Sequence, residues 1–261
     1  MESKALPVLF VSHGAPTLAL DGGAWAERLG AWARGLGDVK AVVMVSAHWE
    51  RPGPVGVMAA ARPETLHDFS GFPEPLFQIQ YPAPGDPELA ARVAGLLTAG
   101  GVEAALDARR PLDHGAWVPL RAAFPEATVP VVQVSLPARR SPRSVFDLGR
   151  LLAPLRREGV LLVGSGGIVH NLGRLDWSGD PAPAAWAVDF EAWIAGRLEG
   201  VETDRLLDEA ARQPGYVLAV PTSEHFDPLY FALGAAGPVP ATALCRDWQY
   251  GSLSLATWVW A

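Results

Sequence analysis

Apolar residues along this 261-residue chain fall into short unbroken runs that alternate with longer stretches of helical periodicity. Residues 6–12, 41–46, 129–136 and 160–164 are apolar runs of strand length. The second is continuous in Val and Met, as in a strand covered on both faces. Between them, Trp25, Leu29 and Trp32 recur at helical spacing. The clearest helix opens at Asp86, a good N-cap followed by Pro87, carries Leu89, Val93, Leu96 and Leu97 on one stripe, and stops at Gly100-Gly101. Val145, Leu148, Leu152 and Leu155 form another stripe, with Pro154 bending it or marking its end. Trp186, Phe190, Trp193 and Ile194 mark a further helix, and residues 206–211 one more. Residues 217–220 read as a strand, and residues 253–260 alternate with a period of two, as in a half-exposed one. This alternation predicts an α/β fold: one layered domain over residues 1–261, with a central mixed, largely parallel sheet flanked by helices.

Residues 62–84 fit neither period. They are rich in Pro and aromatics rather than Ser and Gly, and an irregular stretch of that length inside a compact domain is often functional. It reads either as an ordered flap over a substrate or as surface packing. His67 lies within it and reads as a loop histidine, not a ligand.

Composition narrows the partners. Apolar residues make up 49%, ample for a core, and the formal charge of −7 without any basic run argues against a nucleic-acid partner. Cys245 is the single cysteine, so no intrachain disulfide forms, and it reads as a small buried strand residue. The first residues lack a signal-peptide pattern, and no apolar run reaches the ~18 residues of a membrane span. A cytoplasmic enzyme with no membrane partner is expected; the oligomeric state is not encoded in any of these features.

The chemistry concentrates in histidine. Of six histidines, His13, His48, His170 and His225 each follow an apolar run within a few residues. In open α/β sheets, ligands gather at the carboxyl ends of strands, and imidazole is the commonest metal ligand. If the strands before His13 and His48 are adjacent and parallel, their rings fall a few ångströms apart. His225 precedes Asp227-Pro228, which reads as a helix start, and Glu224 brings a carboxylate to the same region. His170 follows a Gly-Ser-Gly-Gly turn. His114 lies before Gly115 and is the weakest positional case, since the segment also reads as a helix start. Three histidines with open positions suit one divalent ion, Zn(II) or Fe(II), and nearby neutral histidines can move protons. A G-x-S-x-G elbow, a phosphate loop and a dinucleotide fingerprint are all missing.

Seven motifs occur in order: His13-Gly14-Ala15-Pro16, Ser46-Ala47-His48-Trp49, Gly71-Phe72-Pro73, Tyr81-Pro82-Ala83-Pro84-Gly85, Asp113-His114-Gly115-Ala116-Trp117, His170-Asn171-Leu172 and Glu224-His225-Phe226. Together they resemble the class III extradiol ring-cleavage dioxygenases (LigB-like), in particular the DOPA 4,5-dioxygenase-like branch, across almost the whole chain. The resemblance implies an iron(II) enzyme that opens a catechol ring with O2. Its metal ligands fall at His13, His48 and His225, with His170 as a further ligand or acid–base group and His114 as a second proton carrier. Ala15 departs from the usual His-Gly-Ser-Pro. Glu224 is the alternative third ligand, since the protocatechuate-type branch uses a glutamate. Trp49, Phe72, Trp117 and Phe226 are candidate pocket walls, although as aromatics they are more safely assigned to the core. The rival readings are a zinc hydrolase and a non-catalytic binding protein on the same scaffold.

Overall fold

The computed structural model describes residues 5–179 and 181–261. The strands are β1 (Val8–Ser12), β2 (Ala41–Arg51), β3 (Val55–Met58), β4 (Ala104–Asp107), β5 (Val131–Pro137), β6 (Val160–Gly166), β7 (Thr242–Cys245), β8 (Trp248–Gln249), β9 (Leu253–Ser254) and β10 (Thr257–Trp260). The helices are α1 (Gly23–Arg34), α2 (Glu74–Phe77), α3 (Pro87–Ala99), α4 (His114–Ala123), α5 (Pro142–Leu152), α6 (Ala185–Glu199), α7 (Thr203–Glu209), α8 (Tyr216–Ala219) and α9 (Asp227–Ala236). One eight-stranded sheet runs β4-β3-β5-β2-β6-β1-β10-β7. Its centre, β5-β2-β6-β1, is parallel, while β3 pairs antiparallel with β5 and β10 antiparallel with β1. The α/β class and the mixed, largely parallel sheet expected from the apolar pattern are therefore present.

Successive residues of the central strands enter opposite cores, as the period of two requires. Val8 and Phe10 of β1 join Val43 and Val45 of β2 beneath α3, α5, α6 and α9. Leu9 and Val11 join Val42 and Met44 beneath α1 and α4. The expected N-cap of α3 is made by Asp86, whose side chain accepts from the Leu89 N–H at 2.9 Å. Cys245 lies buried on β7, where burial pushes its thiol pKa up.

Three expectations need correction. First, β1 and β2 are not neighbours: β6 lies between them and pairs with both. Second, residues 217–220 are not a strand. Gly215, at φ +86°, starts the short helix α8, and Val217 is 79% exposed. A four-residue apolar run does not distinguish a strand from a turn of helix. Third, residues 253–260 are buried rather than half-exposed, because β10 sits between β1 and β7 with both faces covered. Among the described residues, no helix is long and apolar enough to cross a membrane.

Candidate metal centre

The carboxyl edge of the parallel strands is where the histidines meet. His13 is the first residue after β1, and Gly14 turns the chain there at φ +59°; a Cβ on it would lie 2.5 Å from Leu255 and 2.7 Å from Leu18 and Gln249. His48 sits in an irregularity of β2. From Val45 to Glu50, β2 takes five steps while β5 takes two, from Val134 to Leu136. Bulges of this kind re-aim side chains beside functional sites. His225 does not follow a strand; it lies in the turn before α9, and the Gly167 N–H just beyond β6 donates to its carbonyl at 2.8 Å. His170 lies four residues beyond the end of β6.

His114 opens α4, whose N-cap is the fully buried Asp113. That carboxylate accepts from Ser46 Oγ at 2.7 Å, Gln133 Nε2 at 2.8 Å and Arg110 Nη2 at 2.7 Å. It thereby joins the bulge of β2, the neighbouring β5 and the start of α4. Gly115 lets the helix lie directly on the histidine rings: a Cβ there would come within 2.8 Å of His48 and 3.2 Å of His13.

Ring nitrogens of His13, His48 and His225 all lie within 4.8 Å of one another. His13 Nε2 and His48 Nε2 are 3.0 Å apart, so a proton or a cation must lie between them. Hydrogen bonds settle two tautomers. The Gly115 carbonyl can only accept, so the Ser165 hydroxyl donates to it at 2.5 Å; Ser165 Oγ then accepts from His13 Nδ1–H at 2.9 Å. His225 Nδ1–H donates to Glu224 Oε1 at 3.0 Å. In both rings Nε2 is left with its lone pair. His225 Nε2 is buried without a hydrogen-bond partner, a costly arrangement for a polar atom unless an ion satisfies it. Burial, then the neighbouring imidazoles, hold the pKa values of His13 and His48 well below the ordinary histidine value. They are therefore neutral near pH 7, the form that binds metal. The donor set fits a divalent ion, and a cluster able to hold one is present.

Glu224, the alternative ligand, accepts through one carboxylate oxygen, Oε1, from both His225 Nδ1 and Thr222 Oγ1. Burial works against its ionisation, but these bonds prevail and hold its pKa at about 2. His170 stacks on His225 with ring centroids 3.5 Å apart and 7° between planes. It is not among the nitrogens that converge within 4.8 Å. Burial and the neighbouring His225 lower its pKa to about 3. His114 lies against His48, with centroids 4.0 Å apart.

Residues 62–84 form an ordered flap. Tyr81 anchors it, its N–H donating to Thr65 Oγ1 and its hydroxyl to the Phe124 carbonyl. His67 Nε2 donates to the Ile79 carbonyl, so it serves the flap itself and stays outside the cluster. The flap delivers a residue that the sequence motifs did not single out: Asp68. Its Oδ1 accepts from the His114 backbone N–H at 3.0 Å and from His114 Nδ1 at 2.8 Å, and its Oδ2 lies 3.6 Å from His48 Nδ1. Burial raises the Asp68 pKa, but the His114 hydrogen bonds outweigh it and leave the group below its ordinary value.

A cavity of about 290 Å³ opens over the cluster, lined by His48, Asp68, His114, His170 and His225 and walled by Phe69, Phe72, Leu172, Trp177 and Tyr250, among others. Of the four expected aromatic walls only Phe72 lines it. Trp49, Trp117 and Phe226 are buried in the cores, because a strand or helix packed on the sheet turns its aromatics inward. Phe69, Trp177 and Tyr250 line it from loops, where no periodicity marks them.

Comparison with known proteins converges on one activity. The family model described as the catalytic LigB subunit of aromatic ring-opening dioxygenase matches residues 7–252. The 4,5-DOPA dioxygenase extradiol of Escherichia coli (strain K12) is 38% identical over 98% of this chain and 94% of that protein. The Portulaca grandiflora protein of the same name is 41% identical over 95% and 93%. A crystal structure of an uncharacterized Escherichia coli K12 protein superposes with a TM-score of 0.84 at 34% identity, covering 98% of this chain and 100% of that one. None of these supports a hydrolase or a non-catalytic binder. The chain belongs to the LigB family of aromatic ring-opening dioxygenases.

Proposed function

We propose that His13, His48 and His225 hold one divalent metal ion, Fe(II) in the working enzyme, and that the protein opens a DOPA-like catechol with O2 beside its two hydroxyls. The observations that carry this reading are the buried, unpartnered Nε2 of His225 and the convergence of ring nitrogens of His13, His48 and His225 within 4.8 Å. The substrate class follows the names of the relatives. When bound, the ion would supply Lewis acidity and an electron path between catechol and O2; Zn(II) would supply only the first.

The protein's own residues do the rest. A cavity of about 290 Å³ accommodates a substituted ring and little more. Phe69 and Phe72 of the flap wall it and keep water from the reacting ring. Asp68 holds His114 with its Nδ1–H engaged, so Nε2 is the free acceptor on that ring. His114 therefore takes a phenolic proton. His170, neutral near pH 7 and without a hydrogen bond to its ring, is the second carrier: it takes the other phenolic proton and returns it to oxygen as the ring opens. His170 acts here as an acid–base group, with its ring face committed to His225. The product would be a yellow muconic semialdehyde.

Metal analysis coupled to an aerobic ring-opening assay tests this on wild type and His48→Ala. The variant is expected to lose bound metal and ring opening together. Full metal and full rate in the variant would place the centre elsewhere.

A further inference from the structure

The cavity carries information about the far end of its substrate. Among the described residues, no lysine or arginine lines it. Arg110 and Arg174 are among the arginines close in sequence to its walls. Arg110 is committed: its guanidinium donates to Asp113 and to the His48 carbonyl and lies over the Trp49 ring at 4.8 Å. Arg174, between the lining residues Leu172 and Leu175, is exposed and lines none of the cavity. The one acidic group in the lining is Asp68. The mouth is apolar and aromatic: Leu172 and Trp177 are 63% and 67% exposed there, and the Trp177 and Tyr250 rings stand 4.5 Å apart.

We propose that this cavity sorts catechols by the net charge of the ring substituent, accepting neutral, zwitterionic and cationic side chains and disfavouring those of net negative charge. A lone carboxylate, without an ammonium beside it, would exchange water for aromatic faces, the negative ends of ring quadrupoles, and would face Asp68 with no lysine or arginine among the described lining residues to meet it. An ammonium would meet the same faces favourably, as a cation over Trp177 or Tyr250, with Asp68 adding attraction from within. A zwitterionic substituent sits between the two. The inference rests on the ring-opening reading for its substrates, but the sorting is a property of the cavity alone.

The test uses iron-loaded protein and three catechols: 4-methylcatechol, dopamine and 3,4-dihydroxyphenylacetate. Their kcat/KM values are measured in air, and their binding by equilibrium dialysis under nitrogen. Dopamine should match or exceed 4-methylcatechol, while the acid falls at least ~10-fold below, about the cost of burying one polar group unpaired. Leu172→Arg, at an exposed rim position, should narrow the gap between acid and 4-methylcatechol. If the acid is bound and opened as well as 4-methylcatechol, charge sorting is wrong while ring opening stands. If the binding order holds but no ring opens, sorting stands and the ring-opening reading fails. An unchanged gap in Leu172→Arg would also overturn the charge explanation.

Discussion

Replacing Ser165 by Ala removes one hydroxyl and should weaken a metal site that it does not itself contact. Ser165 is fully buried in β6, between β1 and β2, and its Oγ serves two groups at once: it accepts from His13 Nδ1–H at 2.9 Å and donates to the Gly115 carbonyl. The alanine leaves both without a partner. An abandoned buried polar group costs about 1–3 kcal/mol, so a loss of roughly 2–4 kcal/mol is expected, or ~5–10 °C in Tm for a domain of this size. The imidazole also loses the bond that fixes its tautomer. Removing such an outer partner of a metal-ligating histidine typically lowers metal affinity by about 10–100-fold. Competition titration of apo protein with Zn(II) and a chelator reads this without any need for turnover. Ser12→Ala is the control. That hydroxyl is equally buried, one residue before His13, and has no hydrogen-bond partner, so its loss should leave affinity unchanged and Tm unchanged or raised. Folded Ser165→Ala protein with wild-type zinc affinity would refute the role given to His13 Nε2.

Other substitutions probe the supports separately. Asp68→Ala should lower kcat by ~10²–10⁴, the range of one general base, with metal content retained, and Asp68→Asn should recover part of it by keeping an acceptor for His114; metal loss in both would make Asp68 a structural support of the ligands instead. Gly115→Ala should push His48 and His13 apart and reduce metal occupancy, read by metal analysis of the purified protein. Arg140→Met removes a guanidinium that binds Glu50 and Asp227, each two residues past a proposed ligand. It leaves the buried Asp227 carboxylate unpaired, and a loss of roughly 3 kcal/mol, or ~6–12 °C in Tm, should appear on thermal melting. Chelation should lower the Tm of wild type but not that of His225→Ala, which lacks the unpartnered Nε2.

Part of the candidate site is legible in the sequence, because apolar runs followed by histidine mark where imidazoles can gather. His13 and His48 do meet, although the route differs. Adjacent strands were expected, whereas β6 separates β1 and β2, and the β2 bulge with the Asp113 network brings the rings to 3.0 Å. Strand order depends on long-range pairing, and apolar runs carry no record of it. His225 reaches the same place from a helical turn, where the local apolar run suggested a strand. Asp68 escaped notice for a related reason. It lies in an aperiodic flap, 46 residues before the His114 it holds, and only the closed fold joins them. The signal available was the flap's own length and its Pro and aromatic content, which marked the segment as ordered without marking its acid.

Oxygen consumption is the most direct test of the central claim. Fe(II)-loaded protein should consume one O2 per catechol opened, build a yellow product in step, and stop under nitrogen, while the Zn(II)-loaded form should do none of these. Ring opening that proceeds without O2, or at equal rate with Zn(II), would contradict an iron-dependent dioxygenase at His13, His48 and His225.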